Sequence, residues 1–499
     1  MKFSYINLLI AFVIITLFSM CKKDLGNYAY QGIPELRIDT TGTSGPFTIK
    51  QSIQELVIHP KVAYTGNKTL DYYWVWGDTF NDTIARKKDL QATLNWPISP
   101  TAYRLTFQVV ERETGNMSAV QYMVYITGST GRGWMVAHEK DGTADIDLIN
   151  TPTEAQSPVL RNIHATINGS RLPGKVTGLG TVGDNNLFMF MTDKSMSLMR
   201  ADGMVRQFAD EEVFGLLKPD AFKPEAFAFK AGNINYLINN GQLYQNLIGN
   251  FSPGLMTQRI VTADGSDYKL APVYMMPNTK GGIFVDLLGK RFLQVGAVTT
   301  NTFLPVIAAN TTARFSLSRL DRKFLFGKKG FQLYTGFLET LSNTTLYAFF
   351  ADESGPGRYL YVAGMETPAA PDFAMIDISA APEIQNASFY DVFESSPCVY
   401  YATENKLYLL QVNPGGNSYV NGGVQFTPPA GEIITCIRID RVGAVNPLFY
   451  YIATYNPATG QGTVYQYSIA TGTGVLSASP VKTWTGFGGK ITMMDWKRY

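Results

Sequence analysis

Two periodicities divide the chain. Between Tyr30 and Ile126, apolar and polar positions alternate in short segments, at 55–58, 71–76, 103–110 and 121–126. Alternation sends every second side chain to one face of a strand, so each segment predicts a half-buried strand and their spacing predicts an antiparallel sandwich. Glu111-Arg112-Glu113-Thr114-Gly115-Asn116, between the last two segments, reads as a hairpin turn.

Past Gly128 a different unit recurs: an apolar run, a short turn holding Asn, Asp or Gly, and a second apolar run. Seven such hairpins open at 133, 187, 234, 283, 346, 399 and 449. Their runs are 133–137 with 146–149, 187–191 with 196–199, 234–238 with 242–244, 283–287 with 291–295, 346–350 with 359–362, 399–403 with 406–410, and 449–453 with 463–467. A repeat of about 50 residues is the period of a propeller blade. Six of the hairpins follow another strand-like run, at 176–179, 225–229, 272–276, 324–326, 387–393 and 433–437, but the first does not. The missing run stands at 491–496, ending in Trp496. Paired beside 134–137, it would close the ring and protect its edges. The expectation is an all-β chain: an immunoglobulin-like sandwich over 30–128, then a seven-bladed β-propeller over 129–499 closed by the C-terminal strand.

The first residues carry Lys2, an apolar stretch of about 13 residues from Ile6 to Phe18, then Ser19-Met20-Cys21 and Lys22-Lys23-Asp24. That stretch falls short of the roughly 20 residues a spanning helix needs, so 1–20 reads as a secretory signal ending at a lipidated Cys21. Residues 21–29 then form a tether, and acyl chains on Cys21 hold the protein on a membrane.

Composition supports strands and turns: 13% aromatic, 16% charged, 46 Gly and 25 Pro. A net charge of +2, with no basic run longer than pairs such as Lys87-Lys88, excludes nucleic acid as a partner. Only Cys398 and Cys436 follow Cys21. A bridge between them is permitted outside the cytoplasm, but both sit in apolar strand-like runs, where buried free thiols are expected.

The three histidines, His59, His138 and His164, lack metal-ligand spacing, and no HExxH, Gly-x-Ser-x-Gly, Walker or dinucleotide motif occurs. No metal, cofactor or catalytic residue is assigned. Glu139, Asp141, Asp145 and Asp147 form the densest acidic cluster. Its spacing fails the EF-hand pattern, and it reads as a solvated turn, with calcium as the alternative. Asp193, Asp286, Asp352 and Glu404, in or near turns between strands, are the carboxylates from which a dispersed hydrolase or lyase site would be drawn; each also reads as an ordinary turn residue. Tyrosines such as Tyr244 and Tyr408 are expected to pack between blades, and the residues of a ligand-binding face remain unassigned.

The stretch Tyr73-Trp74-Val75-Trp76-Gly77-Asp78, followed by 103–107 and a terminal strand, resembles the PKD domain, an immunoglobulin-like sandwich in which Trp74 would pack the core and a ligand role for Trp74 or Trp76 is the lesser reading. With Lys22-Lys23-Asp24-Leu25-Gly26-Asn27-Tyr28 and Gly133-Trp134, the whole chain resembles the PKD-like family lipoproteins of Bacteroidota. The resemblance implies that Lys22, Lys23 and Asp24 act as an export signal to the outer face of the outer membrane. It also implies an accessory role beside a SusC/SusD-like TonB-dependent transporter, capturing an oligosaccharide or oligopeptide without catalysis. A propeller hydrolase or lyase and a surface adhesin or scaffold are the rival classes. Asp39-Thr40-Thr41 and Asp82-Thr83-Ile84 resemble the O-glycosylation sequence of that phylum.

Overall fold

The structure, a computed structural model, describes residues 32–497 apart from 44, 51–53, 77–82, 95, 97–101, 128–129, 131–132, 151–158, 183–186, 231–233, 247–254, 274–275, 278–281, 296–301, 306–318, 330–344, 365–371 and 440–448. The signal stretch 1–20, Cys21, Lys22, Lys23 and Asp24 therefore lie outside the described residues, as do Gly77, Asp78 and Asp82. The chain divides into two compact units, Met1–Ile126 and Thr127–Tyr499. No helix among the described residues is long and apolar enough to cross a membrane.

In the first unit a five-stranded sheet runs Phe47–Lys50, Met117–Thr127, Tyr103–Glu111, Leu70–Trp76, Thr83–Ala85, beside the pairs Leu36–Asp39 with Lys61–Tyr64 and Glu55–Ile58 with Leu90–Thr93. The alternation seen in the sequence has its physical cause here. Leu105, Phe107 and Val109 from one strand and Tyr122, Val124 and Ile126 from the next all enter one core around Trp74. Trp74 is fully buried, its ring 4.5 Å from Phe107 and 5.7 Å from Tyr122. Its indole N–H donates to the carbonyls of Lys87 (3.0 Å) and Lys88 (3.3 Å), so the one polar atom of the ring is satisfied inside the core. Trp76 stacks on Trp96 at 4.6 Å.

The second unit holds seven sheets among the described residues, each built on one hairpin of the repeat. Sheet 2 is typical: Val176–Val182, Leu187–Thr192, Met196–Arg200 and Arg206–Ala209 pair in chain order, all antiparallel. Sheet 1 is out of chain order. Its leading strand is Lys490–Lys497, which pairs antiparallel with Gly133–Lys140, placing Trp496 opposite Trp134. Gly133 permits this start, since a Cβ there would lie 2.0 Å from the carbonyl oxygen of Ile149 on the neighbouring strand.

The runs at 187–191 and 346–350 are apolar at every position because both faces of each sheet are covered. Leu346, Ala348 and Phe350 pack toward sheet 4, while Tyr347 and Phe349 pack toward sheet 6. Seven apolar clusters follow this rule. Six join successive sheets, and one joins sheet 7 to sheet 1 through Tyr451, Val464 and Phe487 against Trp134, Val136 and Ile149.

Three details differ from the sequence reading. Most sheets carry a further outer strand, such as Arg206–Ala209, Ser418–Phe426 or Lys482–Phe487, which the hairpin repeat did not reveal. These outer strands are largely exposed, and their polar sequences blur the apolar pattern. The run at 272–276 contributes only the short strand Met276–Pro277, with 274–275 outside the described residues. In five sheets the pairing of the leading strand shifts register, at 137/138, 176/178, 224/226, 324/326 and 434/436, a bulge that adds twist.

Candidate functional site

The leading strands of sheets 5, 6, 7, 1, 2 and 3 contact one another in that order, and charged residues on some of them meet there. On Ile433–Ile439, Arg438 donates from Nη2 to Oδ1 of Asp495 on Lys490–Lys497, at 2.7 Å. Burial pulls the Arg438 guanidinium down, but the carboxylates of Asp495 and Asp391 more than offset it and hold it charged. Although deep in the unit, Arg438 keeps 37% of its side chain open to solvent and Asp495 keeps 28%. A second pair, Lys328 with Asp391, joins Lys323–Lys329 to Phe389–Val392 and is almost wholly buried. Asp391 also accepts the N–H of Ile439 at 3.0 Å, which ties the two pairs together. Gly180 of the leading strand of sheet 2 completes the group, since a Cβ there would lie 3.1 Å from Oδ2 of Asp495 and 3.4 Å from the Phe227 ring.

A separate polar network clamps sheet 7 to sheet 1. His138 Nε2 lies 3.1 Å from Oδ1 of Asp147, and Asp147 also accepts Arg161 Nη1 (2.9 Å) and the N–H of Asn162 (2.7 Å). Arg161 crosses to sheet 7, donating to the Thr485 carbonyl at 2.7 Å and lying 4.2 Å from the centre of the Phe487 ring. Asp145 accepts the N–H groups of His164 (3.0 Å) and Ala165 (3.4 Å) at the start of the helix Ile163–Asn168. His164 Nδ1 lies 2.6 Å from the Ser170 carbonyl, so it donates there and leaves Nε2 to accept from the Ser197 hydroxyl at 3.0 Å. That Ser–His distance suits a nucleophile and its base, but both residues are fully buried, out of reach of any substrate.

The solvated-turn reading of the acidic cluster needs correction. Only Asp141, at a left-handed turn position, fits it. Asp145 and Asp147 are fully buried, because strand alternation sends both to one face and Arg161, Arg171 and a helix start neutralise them there. Glu139 joins the leading strands of sheets 1 and 2, accepting the N–H of Val176 (2.8 Å) and the Thr492 hydroxyl (3.1 Å). Among the described residues no group of three or more His, Cys, Asp or Glu is placed to hold a metal ion.

Three of the four dispersed carboxylates are engaged locally. Asp193 accepts the N–H of Lys175 at 2.7 Å. Asp286, fully buried, accepts the N–H groups of Lys269 (3.1 Å) and Leu288 (3.0 Å) and Arg291 Nε (3.1 Å). Asp352 lies 3.9 Å from Arg322, and Glu404 is an exposed turn residue. Asp193, Asp286, Asp352 and Glu404 belong to turns of four different sheets and are not brought into contact with one another in these interactions. His59 is exposed, 3.5 Å from Asp89. Tyr244 and Tyr408 are buried in the clusters between sheets. Cys398 and Cys436 are both free and buried. Thr41 is exposed, its N–H donating to Asp39 at 2.9 Å.

The sequence reading missed Lys328, Asp391, Arg438 and Asp495. For Asp391, Arg438 and Asp495 the available signal was a single charge inside an apolar leading run, as in Ile433-Ile434-Thr435-Cys436-Ile437-Arg438-Ile439, whereas Lys328 stands beside Lys329 and outside the apolar run 324–326.

Fold and cluster together define an all-β protein with a PKD-like N-terminal domain and a β-rich, propeller-like second unit. The profile of the PKD-like family matches residues 21–175, which covers the first unit from residue 21 onward and runs on through the first hairpin of sheet 1 and the following helix. A search of curated proteins by sequence found no match. Among solved structures, a quinonprotein alcohol dehydrogenase-like protein from Bacteroides thetaiotaomicron is similar with a TM-score of 0.47 at 9% identity, over 94% of this chain and 100% of that one. A functionally unknown protein from Desulfotomaculum acetoxidans gives 0.41 at 10% identity, over 74% and 99%. PorZ, a surface component of the type-IX secretion system of Porphyromonas gingivalis, gives 0.32 at 12% identity, over 77% of this chain and 51% of PorZ.

Proposed function

We propose that the chain is a lipid-anchored, non-catalytic binding protein of the bacterial surface, in which the seven sheets form a propeller ring sealed by Lys490–Lys497 and the ligand is taken up where the leading strands meet. The carrying observation is the Arg438–Asp495 pair: two charged groups deep in the unit that stay open to solvent and keep unused hydrogen-bonding capacity. Charged groups are held at such depth at a cost, and a polar ligand is a reason for keeping them. The ring reading is supported by seven interfacial clusters, the last of which joins sheet 7 to sheet 1. Anchoring at Cys21, with Lys22, Lys23 and Asp24 as export signal, rests on the N-terminal sequence pattern. The outer-membrane location and the SusC/SusD-like partner rest on the family resemblance. A tethered binding face raises the concentration of an oligosaccharide or oligopeptide at a transporter without chemistry of its own.

The test is incubation of the purified protein with polysaccharide and peptide mixtures. Retention of a component with no new product is expected. Release of shortened products would make the protein a hydrolase or lyase, and retention of neither mixture alongside capture of another surface protein would make it an adhesin or scaffold. In cells, Cys21→Ser is expected to move the protein from the membrane fraction to the soluble one, and a SusC/SusD-like pair is expected to co-purify with the unaltered chain.

A further inference from the structure

We infer that the Arg438–Asp495 pair, with Gly180 and Phe227 beside it, is a binding site for the hydroxyl groups of an uncharged sugar, which makes the captured ligand a neutral oligosaccharide. The inference rests on the binding-protein reading above and narrows its ligand.

A guanidinium has five N–H donors, and among the described residues Arg438 spends one bond, from Nη2, on Asp495 Oδ1. Its remaining N–H groups and Asp495 Oδ2 are without a hydrogen-bond partner there. A donor group and an acceptor group with spare capacity thus stand side by side in a partly open, deep position. A sugar hydroxyl fits this arrangement in both directions, since its O–H donates to Oδ2 while its oxygen accepts from the guanidinium, and both bonds are strengthened by the charge on the protein.

The charge balance argues against an ionic ligand. Lys328 and Arg438 supply two cations, and Asp391 and Asp495 two carboxylates. The four charges sum to zero, so a ligand charge of either sign finds a like charge as well as an opposite one in the group. Like charges brought together oppose binding. A peptide with free termini or a uronate chain pays that penalty, and a neutral hydroxyl does not.

Gly180 lets its strand pass close beside the pair. A Cβ at this position would press against Asp495 Oδ2 at 3.1 Å and the edge of Phe227 at 3.4 and 3.5 Å. The half-buried Phe227 adds the apolar surface against which the C–H face of a sugar ring packs.

The test is calorimetric titration of the full chain with four neutral hexasaccharides (gluco-, manno-, galacto- and xylo-), with hexagalacturonate, and with hexaalanine bearing free termini. At least one neutral hexasaccharide is expected to bind, at least tenfold tighter than the uronate or the peptide. Arg438→Gln and Gly180→Val are each expected to weaken that binding at least tenfold. A thermal melt identifies a variant that fails to fold, in which case the other decides. Tighter binding of hexagalacturonate or hexaalanine, lost in Arg438→Gln, would overturn the neutral-sugar assignment and leave the binding-protein reading standing. Neutral binding unchanged in both folded variants would place the sugar elsewhere and overturn the site. No binding across the panel would overturn the site and the binding-protein reading together.

Discussion

Trp134 and Trp496 stand opposite each other on neighbouring antiparallel strands, their rings 5.8 Å apart and inclined at 73°. Trp134 also lies 4.4 Å from Tyr451 of sheet 7, so one side chain connects the Lys490–Lys497 strand, the first hairpin and the seventh sheet. Trp134→Ala is expected to lower stability by about 3–5 kcal/mol, read as a fall in the urea midpoint. The indole N–H of Trp134 is buried with no acceptor among the described residues, so Trp134→Phe is expected to cost less than about 1.5 kcal/mol. Equal losses in the two variants would show that the apolar volume is not what matters.

The network behind that contact makes stability depend on acid. Burial alone would raise the Asp147 carboxyl, but His138, the Asn162 N–H and Arg161 outweigh it and hold it below the usual 3.8. A depressed carboxyl contributes stability above pH 3.8 that is lost as pH falls through its lower folded value. Asp147→Asn is expected to be less stable at pH 7, and to lose less on going from pH 5 to pH 3. A parallel pair of urea midpoint curves would refute this.

His164 acts in a higher window. Burial pushes its imidazole below the usual 6.5, against the opposing pull of the Ser170 carbonyl and Asp145. The unfolded chain therefore takes up a proton near pH 6.5 that the folded chain resists, so stability is full above that pH and declines below it. The slope is at most about 1.4 kcal/mol per pH unit for one proton. His164→Gln is expected to flatten the urea midpoint between pH 7 and pH 5.5.

Much of this arrangement could be read in advance, for a physical reason. Runs such as Leu187–Thr192 are covered on both faces, which leaves an unbroken apolar signature, and the resemblance to the PKD domain pointed to Trp74 as core. The outer strands escaped because one side faces water. Asp145 and Asp147 escaped because their partners, Arg161, Arg171 and the helix at Ile163, come from later in the chain, and local spacing cannot distinguish a neutralised carboxylate from a hydrated one. The Arg438–Asp495 pair is separated by 57 residues, and only the packing of sheet 7 against the last strand brings it together.

Asp286 shows what a turn carboxylate does when it is buried. It satisfies two backbone N–H groups and Arg291 at once. Asp286→Ala strands all three donors and is expected to cost about 3 kcal/mol. Asp286→Asn, which keeps one acceptor, is expected to cost clearly less in the same denaturation assay.

The two thiols should be silent in the native protein. Burial pushes Cys436 up to about 12 and also raises Cys398, so neither supplies much of the reactive thiolate. Iodoacetamide at pH 8 is expected to modify both only after guanidinium unfolding. Peptide mapping that found either one alkylated in the folded protein would contradict the packing described here.

The bond from Thr492 to Glu139 spans 353 positions of sequence, and that separation has a consequence in time. At roughly 5–20 residues per second, the first hairpin waits on the order of 20–70 seconds of synthesis before its neighbour exists. Throughout that interval one flank of Gly133–Lys140 has nothing to pair with. A polypeptide cut short anywhere before Lys490 would keep that raw flank permanently, and so carry its own mark of incompleteness for proteases to find.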